Sequence, residues 1–202
     1  MVLDKFSEVL NDAINYFILG DIQLLSAYKT DLGLPDDLAR ELTTSSTGDD
    51  IVENGIIIPM VGIENCPYTI IFHSQRSSVE LLKDDSQLQV RQDGYVLKVE
   101  NGTVFLFTWR ILENFTDASV AGLIERYRLQ HRPLVALENG WYTVEIFGGL
   151  TMQEVETRMD NGKIISDKEF EPTLEFVFTA VAEQREFTAD INYAFKLTDT
   201  GY

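Results

Sequence analysis

The chain has 202 residues, 45% of them hydrophobic and 24% charged, with 33 acidic against 16 basic residues and a formal charge of −17. These are the values of an ordinary globular domain long enough to bury a real core, and they exclude a disordered tail or a coiled coil. The acidic balance also excludes a broad basic face for nucleic acid or for an anionic membrane.

No apolar run approaches the ~20 residues that a membrane-spanning helix needs, and the N-terminus has neither a basic n-region nor a small-residue cleavage site. A single cysteine, Cys66, forms no internal disulfide. The expectation is a cytoplasmic protein in a reducing compartment.

In chain order, residues 3–19 read as an amphipathic helix, with Leu3, Phe6, Leu10, Ala13, Ile14 and Phe17 at the helical period and Gly20 as its stop. Asp21 caps a second helix from Ile22 to about Thr30, ending near Gly33. Pro35, Asp36 and Asp37 begin a third, short helix that runs to about Leu42. Residues 43–50, TTSSTGDD, contain no apolar side chain and read as a loop.

From Ile56 the period changes to that of strands. GIIIPMVGI and PYTIIFH are two strands around an Asn65–Cys66–Pro67 turn, with Pro59 at an edge or bulge. In residues 88–109 the dipeptides Asp93–Gly94 and Asn101–Gly102 predict tight turns and a three-stranded meander. Thr116 caps a helix from Asp117 to about His131, which Pro133 ends. A further hairpin turns at Glu138–Asn139–Gly140. Residues 148–172 fit either a helix through Met152, Val155 and Met159 or a hairpin at Asp160–Asn161–Gly162, and PTLEFVFTAV and INYAFKL read as final strands.

Residues 59–71 match residues 133–145 without a gap at Pro59/Pro133, Val61/Val135, Glu64/Glu138, Asn65/Asn139, Tyr68/Tyr142 and Thr69/Thr143. Residues 103–108 resemble residues 173–179. The expectation is therefore an α+β fold in which N-terminal helices precede two related antiparallel β-meander units, 51–115 and 130–181, joined by a helix and related by a pseudo-two-fold axis. Residues 1–50 form a helical segment and linker packed on a β-rich body, 51–202, in one compact domain.

The chemistry-bearing residues are sparse. His73, His131 and Cys66 show no metal-ligand spacing, and no zinc, calcium, phosphate-loop or dinucleotide motif is present. No cofactor and no metal are expected. Cys66 and His73 flank one strand and form no expected catalytic pair. Glu64 and Glu138 hold matching repeat positions, so a two-fold axis would bring them together as an acid–base pair in a hydrolase or sugar-acting enzyme. Trp109, Trp141, Tyr142 and Tyr68 offer an aromatic face, and Arg126, Arg128 and Arg132 a local basic cluster that pairs with the acidic ends of the chain.

Charge is uneven: residues 1–60 carry a net −8, residues 61–149 a net −3 and residues 150–202 a net −6. The densest run holds Asp36, Asp37, Glu41, Asp49, Asp50 and Glu53 against Arg40 alone. A solvated face is one account of it; a docking face for a basic protein is the other. In size, charge and lack of catalytic motifs the chain resembles the immunity proteins with which bacteria neutralise toxic nucleases and other effectors. That resemblance implies a non-enzymatic inhibitor of a basic toxin, bound through those six carboxylates. An assembly component that uses exposed sheet edges is the remaining alternative.

Overall fold

The computed structural model describes residues 1–10, 14–158 and 164–198. Nine strands and four α-helices are defined among them. The strands are β1 (Val2–Val9), β2 (Tyr16–Gly20), β3 (Ile57–Val61), β4 (Pro67–His73), β5 (Gln87–Val99), β6 (Thr103–Thr108), β7 (Leu134–Ala136), β8 (Gly140–Arg158) and β9 (Ile164–Val181). The helices are α1 (Ile22–Leu32), α2 (Leu38–Thr44), α3 (Thr47–Glu53) and α4 (Asp117–Leu129).

A five-stranded sheet has the order β1-β4-β9-β8-β5, and a four-stranded sheet the order β3-β2-β6-β7. Among the described strands only β4 and β9 pair in parallel. The sheets face each other across a core that includes Phe17, Met60, Tyr68, Phe72, Tyr95, Leu106 and Phe176. The other face of the smaller sheet, with Ile18, Ile57, Phe105 and Phe107, is covered by the helices through Leu25, Leu38, Ile51 and Leu123. The molecule is thus mixed α+β, built as sheet, sheet and helix layers.

The N-terminal helix expected over residues 3–19 is corrected. Residues 2–9 and 16–20 are strands, and Ala13 lies outside the described residues. Periodicity misleads here for a physical reason. β2 is a central strand with apolar neighbours on both faces, so its run Tyr16–Gly20 is apolar throughout and shows no alternation. The loop expected over 43–50 is also corrected, because it ends in α3. Asp49 and Asp50 sit in the first turn of that helix, where carboxylates suit the dipole. α1 and α4 begin where Asp21 and Thr116 are expected to cap them, while α2 begins only at Leu38, after Pro35 and Asp36, with Asp37 as its cap.

The meander and hairpins are corrected as well. The chain crosses between the sheets from β1 to β2, β3 to β4, β5 to β6 and β7 to β8, so the two strands joined at each of those turns lie in different sheets instead of pairing. Asp93–Gly94 is a bulge inside β5. There Gly94 takes φ 83°, the register slips between Gln92 and Tyr95, and a Cβ would stand 2.5 Å from Thr188 Oγ1. Pro59 does occupy an edge strand, β3. The INYAFKL segment is a strap without regular strand structure. It touches β3 by one bridge, Val61 to Ala194, and buries Phe195 and Leu197 in the core.

The pseudo-two-fold repeat over 51–115 and 130–181 is not confirmed. Neither unit is a meander, and residues 103–108 lie inside the small sheet while residues 173–179 lie at the centre of the large one. The ambiguous stretch is a hairpin of β8 and β9, whose Asp160–Asn161–Gly162 turn and Met159 lie outside the described residues. Beyond Leu150 and Pro172 the two strands pair only with each other among the described residues, over eight further pairs. They form a two-stranded arm about 26 Å long.

Candidate functional site

The acidic run divides into two parts with different work. Asp36 pairs with Lys29 Nζ at 2.6 Å, and its backbone carbonyl accepts the N–H of Phe115. Asp37 caps α2 by accepting Arg40 N at 3.0 Å. Glu41 accepts the hydroxyls of Ser45 at 2.8 Å and Thr47 at 3.3 Å, which joins the end of α2 to the start of α3. These three carboxylates build local structure.

Asp49, Asp50 and Glu53 instead project from α3 and are exposed. Asp50 lies toward α1, where it and burial raise the Tyr28 hydroxyl above its ordinary range, burial contributing most. Asp49 and Glu53 line a groove completed by the C-terminal strap, through Phe187, Ala189, Asp190 and Ile191. Gln184 Nε2 donates to Glu53 O at 2.9 Å and ties the strap to the helix end.

Asp49 and Ile191 also line an adjoining cavity of about 140 Å³. Its walls include Tyr16 and Trp109, whose ring centroids are 4.7 Å apart, and Pro59 of the edge strand. Burial pushes the Tyr16 hydroxyl up to about 12. The combined groove is a concave surface with three carboxylates, Asp49, Glu53 and Asp190, above an aromatic and aliphatic floor. That composition suits a long cationic side chain: the carboxylates take its charge and the rings take its stem and cation. The sequence reading did not single out Asp190 or Tyr16, and it grouped Trp109 with Trp141, Tyr142 and Tyr68 instead of with this groove. Nothing in the composition around Asp190 specified where that segment docks, and Tyr16 lay in the run read as a helix.

Other chemistry-bearing groups are placed differently. Glu64 follows β3 and Glu138 follows β7, the two edge strands of the small sheet, which run in opposite directions. The two glutamates therefore stand at opposite ends of the sandwich and form no acid–base pair. Each supplies its backbone carbonyl to a tyrosine hydroxyl four residues later. Cys66 is buried at the start of β4 and His73 is buried at its end, so the strand's length separates them. Burial raises the Cys66 thiol above its ordinary range. Trp109, Tyr68 and Tyr142 are buried, and the half-buried Trp141 is covered by Lys98 Nζ at 5.7 Å, so the four make no common exposed face. In the basic cluster, Arg132 binds Glu8 of β1 through Nε at 3.1 Å and through Nη2.

The closest approach to a catalytic constellation was not anticipated. His73 Nε2 donates to Glu175 Oε2 at 2.5 Å, while Nδ1 lies 2.9 Å from Ser78 Oγ. Three observations make this a structural clamp. His73 and Glu175 are 0% exposed. The Ser78 hydroxyl is within donating distance of Gln75 O, 2.7 Å away. The N–H groups of Glu80 and Leu81, which would be the nearest oxyanion donors, are bound by Glu175 at 2.9 and 2.6 Å. The clamp holds residues 75–82 over Phe147 and Val177 on the outer face of the large sheet. Among the described residues no group of three or more His, Cys, Asp or Glu is arranged to hold a metal, and no helix is long and apolar enough to cross a membrane.

The chain matches no protein-family model, and neither a curated protein nor a solved structure matches it significantly.

Proposed function

We propose that the protein is a non-enzymatic binding protein that docks a basic partner on the groove between α3 and the C-terminal strap, in the manner of an immunity protein neutralising a toxin or effector. The observation that carries this reading is the convergence of Asp49, Glu53 and Asp190 on a recess floored by Tyr16, Trp109 and Ile191. The net charge of −17 adds long-range attraction for any basic surface. A nuclease site must attract phosphates, so a carboxylate-rich face docks there quickly and blocks it. Asp36, Asp37 and Glu41 contribute field but have local partners, so the docking weight moves to the second half of the run. Recovery of retained proteins from the native cell, with and without Asp49→Asn, Glu53→Gln and Asp190→Asn, tests the reading. A basic protein lost with the triple variant supports it; a partner retained by the variant, or an acidic partner, opposes it.

A second reading, an assembly component, draws on the β8–β9 arm. Its outer edges offer unpaired backbone groups, and Met152 and Phe170, paired across it, are 40% and 39% exposed.

We also infer an ancient duplication, with boundaries other than the sequence match implied. Supporting it, the order strand, strand, helix, strand, strand occurs over β1–β4 and again over β5–β8, with β9 inserted at the centre of the large sheet. Tyr68 and Tyr142 hold corresponding places in the two halves.

A further inference from the structure

Beside the C-terminal end of α4, a cavity of about 320 Å³ is lined by Arg110, Arg126 and Arg132 with Glu8, together with Phe17, Leu106, Thr108, Ile111 and Tyr127. Three of the sixteen basic residues of a strongly acidic chain therefore share one recess. They come from separate elements: Arg110 from the 3-10 segment Trp109–Asn114, Arg126 from the last turn of α4, and Arg132 from the link into β7. Bringing like charges together opposes folding unless a counter-charge is supplied.

Glu8, 6% exposed on β1, supplies one such charge and holds Arg132 through two nitrogens. The Arg132 guanidinium is fixed further by the Tyr127 ring, 5.5 Å below it. Tyr127 in turn donates its hydroxyl to Leu106 O at 2.9 Å. One wall of the recess is thus built and rigid before any ligand arrives. Arg126, exposed at the rim, forms no side-chain hydrogen bond or ion pair with the described residues. It lines the same recess, and an arginine fork suits carboxylate or phosphate oxygens. The floor beneath is apolar and aromatic.

We propose that this recess is a binding site for a small organic anion, a carboxylate or phosphate group carried on a compact apolar body. The anion head meets Arg126 and Arg132, and the body lies over Thr108 and Ile111, the partly exposed uncharged residues of the lining. The volume stands at the lower end of small-molecule sites, about 300–1,000 Å³. This assignment is independent of the acidic groove, which takes the opposite charge on another part of the surface.

Titration calorimetry of the full chain with phenyl phosphate, benzoate, inorganic phosphate and phenol tests it. The expected result is saturable binding of phenyl phosphate or benzoate, weaker by about tenfold or more in Arg126→Ala and unchanged in Arg128→Ala, which removes an equal charge from the same helix outside the recess. The relative affinity of the two organic anions identifies the preferred head group. Thermal unfolding establishes that each variant is folded. Three outcomes overturn the proposal: no saturable binding of either organic anion, equal loss in the two variants, or phenol or inorganic phosphate binding as tightly as the organic anions.

Discussion

Tyr68 and Tyr142 make the same hydrogen bond from opposite ends of the sandwich. Each donates its hydroxyl to the carbonyl four residues earlier, Tyr68 to Glu64 O at 3.0 Å and Tyr142 to Glu138 O at 2.8 Å. Each bond closes a turn where the chain passes from the small sheet to the large one. The buried Tyr95 hydroxyl is the contrasting case, with no hydrogen-bond partner among the described residues. Tyr68→Phe and Tyr142→Phe should each cost about 1 kcal/mol, whereas Tyr95→Phe should be neutral or stabilising, because it removes a polar group buried without a bond. Urea unfolding of the three variants measures the difference. Equal destabilisation by all three would contradict it.

Asp21 is predicted to be the most sensitive single carboxylate. It is completely buried, caps α1 through Gln23 N and Leu24 N at 3.1 Å, and also accepts Glu100 N at 3.0 Å and Asn101 N at 2.8 Å. It therefore locks the first helix to the turn between β5 and β6. Asp21→Ala leaves four backbone donors without their acceptor and should cost about 3 kcal/mol or more, well above an ordinary cap. A loss near 1 kcal/mol in chemical denaturation would mean that water replaces the carboxylate.

That residue also marks how far the sequence was legible. Asp21 as a cap, Gly33 as a stop and Thr116 as a second cap were readable because helix ends use local chemistry. Asn101–Gly102 does stand between two strands as expected, yet the pairing expected of them does not follow. Asn101–Gly102 connects two strands whether they pair or stack, and only long-range packing decides which. Gly94 illustrates the same limit, since its positive φ serves a bulge under the strap instead of a hairpin. Doubly buried β2 carries no alternation, so its strand nature was hidden. For the site, Asp49 and Glu53 were visible as acidic density. Their groove was not, because Asp190 lies far along the chain and reaches them only when the strap docks.

Alkaline stability should report the buried tyrosines. An unfolded tyrosine releases its proton near pH ~10, while burial holds the Tyr16 proton up to about 12. Burial likewise raises Tyr68, Tyr95 and Tyr127. Above pH ~10 the folded state binds more protons than the unfolded state. Stability is thus fully present below that pH and falls as pH rises through the folded values, by about 1.4 kcal/mol per pH unit for each such tyrosine. Unfolding free energies at intervals from about pH 8 to 11 should be flat at first and then drop steeply, with a shallower drop in Tyr16→Phe. A flat profile throughout would contradict the burial of these hydroxyls.

The acidic groove is tested most directly by association kinetics with the basic partner recovered from the native cell. Exposed charges contribute little to stability, so Asp49→Asn, Glu53→Gln and Asp190→Asn should leave the fold intact. The account predicts an association rate that falls as salt shortens the screening length from about 10 Å at 0.1 M to about 3 Å at 1 M, and that the triple variant slows at low salt by about tenfold. Asp36→Asn with Asp37→Asn should slow it far less. An association rate indifferent to salt and to the triple variant would contradict the central claim, leaving α3 and the strap as a solvated surface.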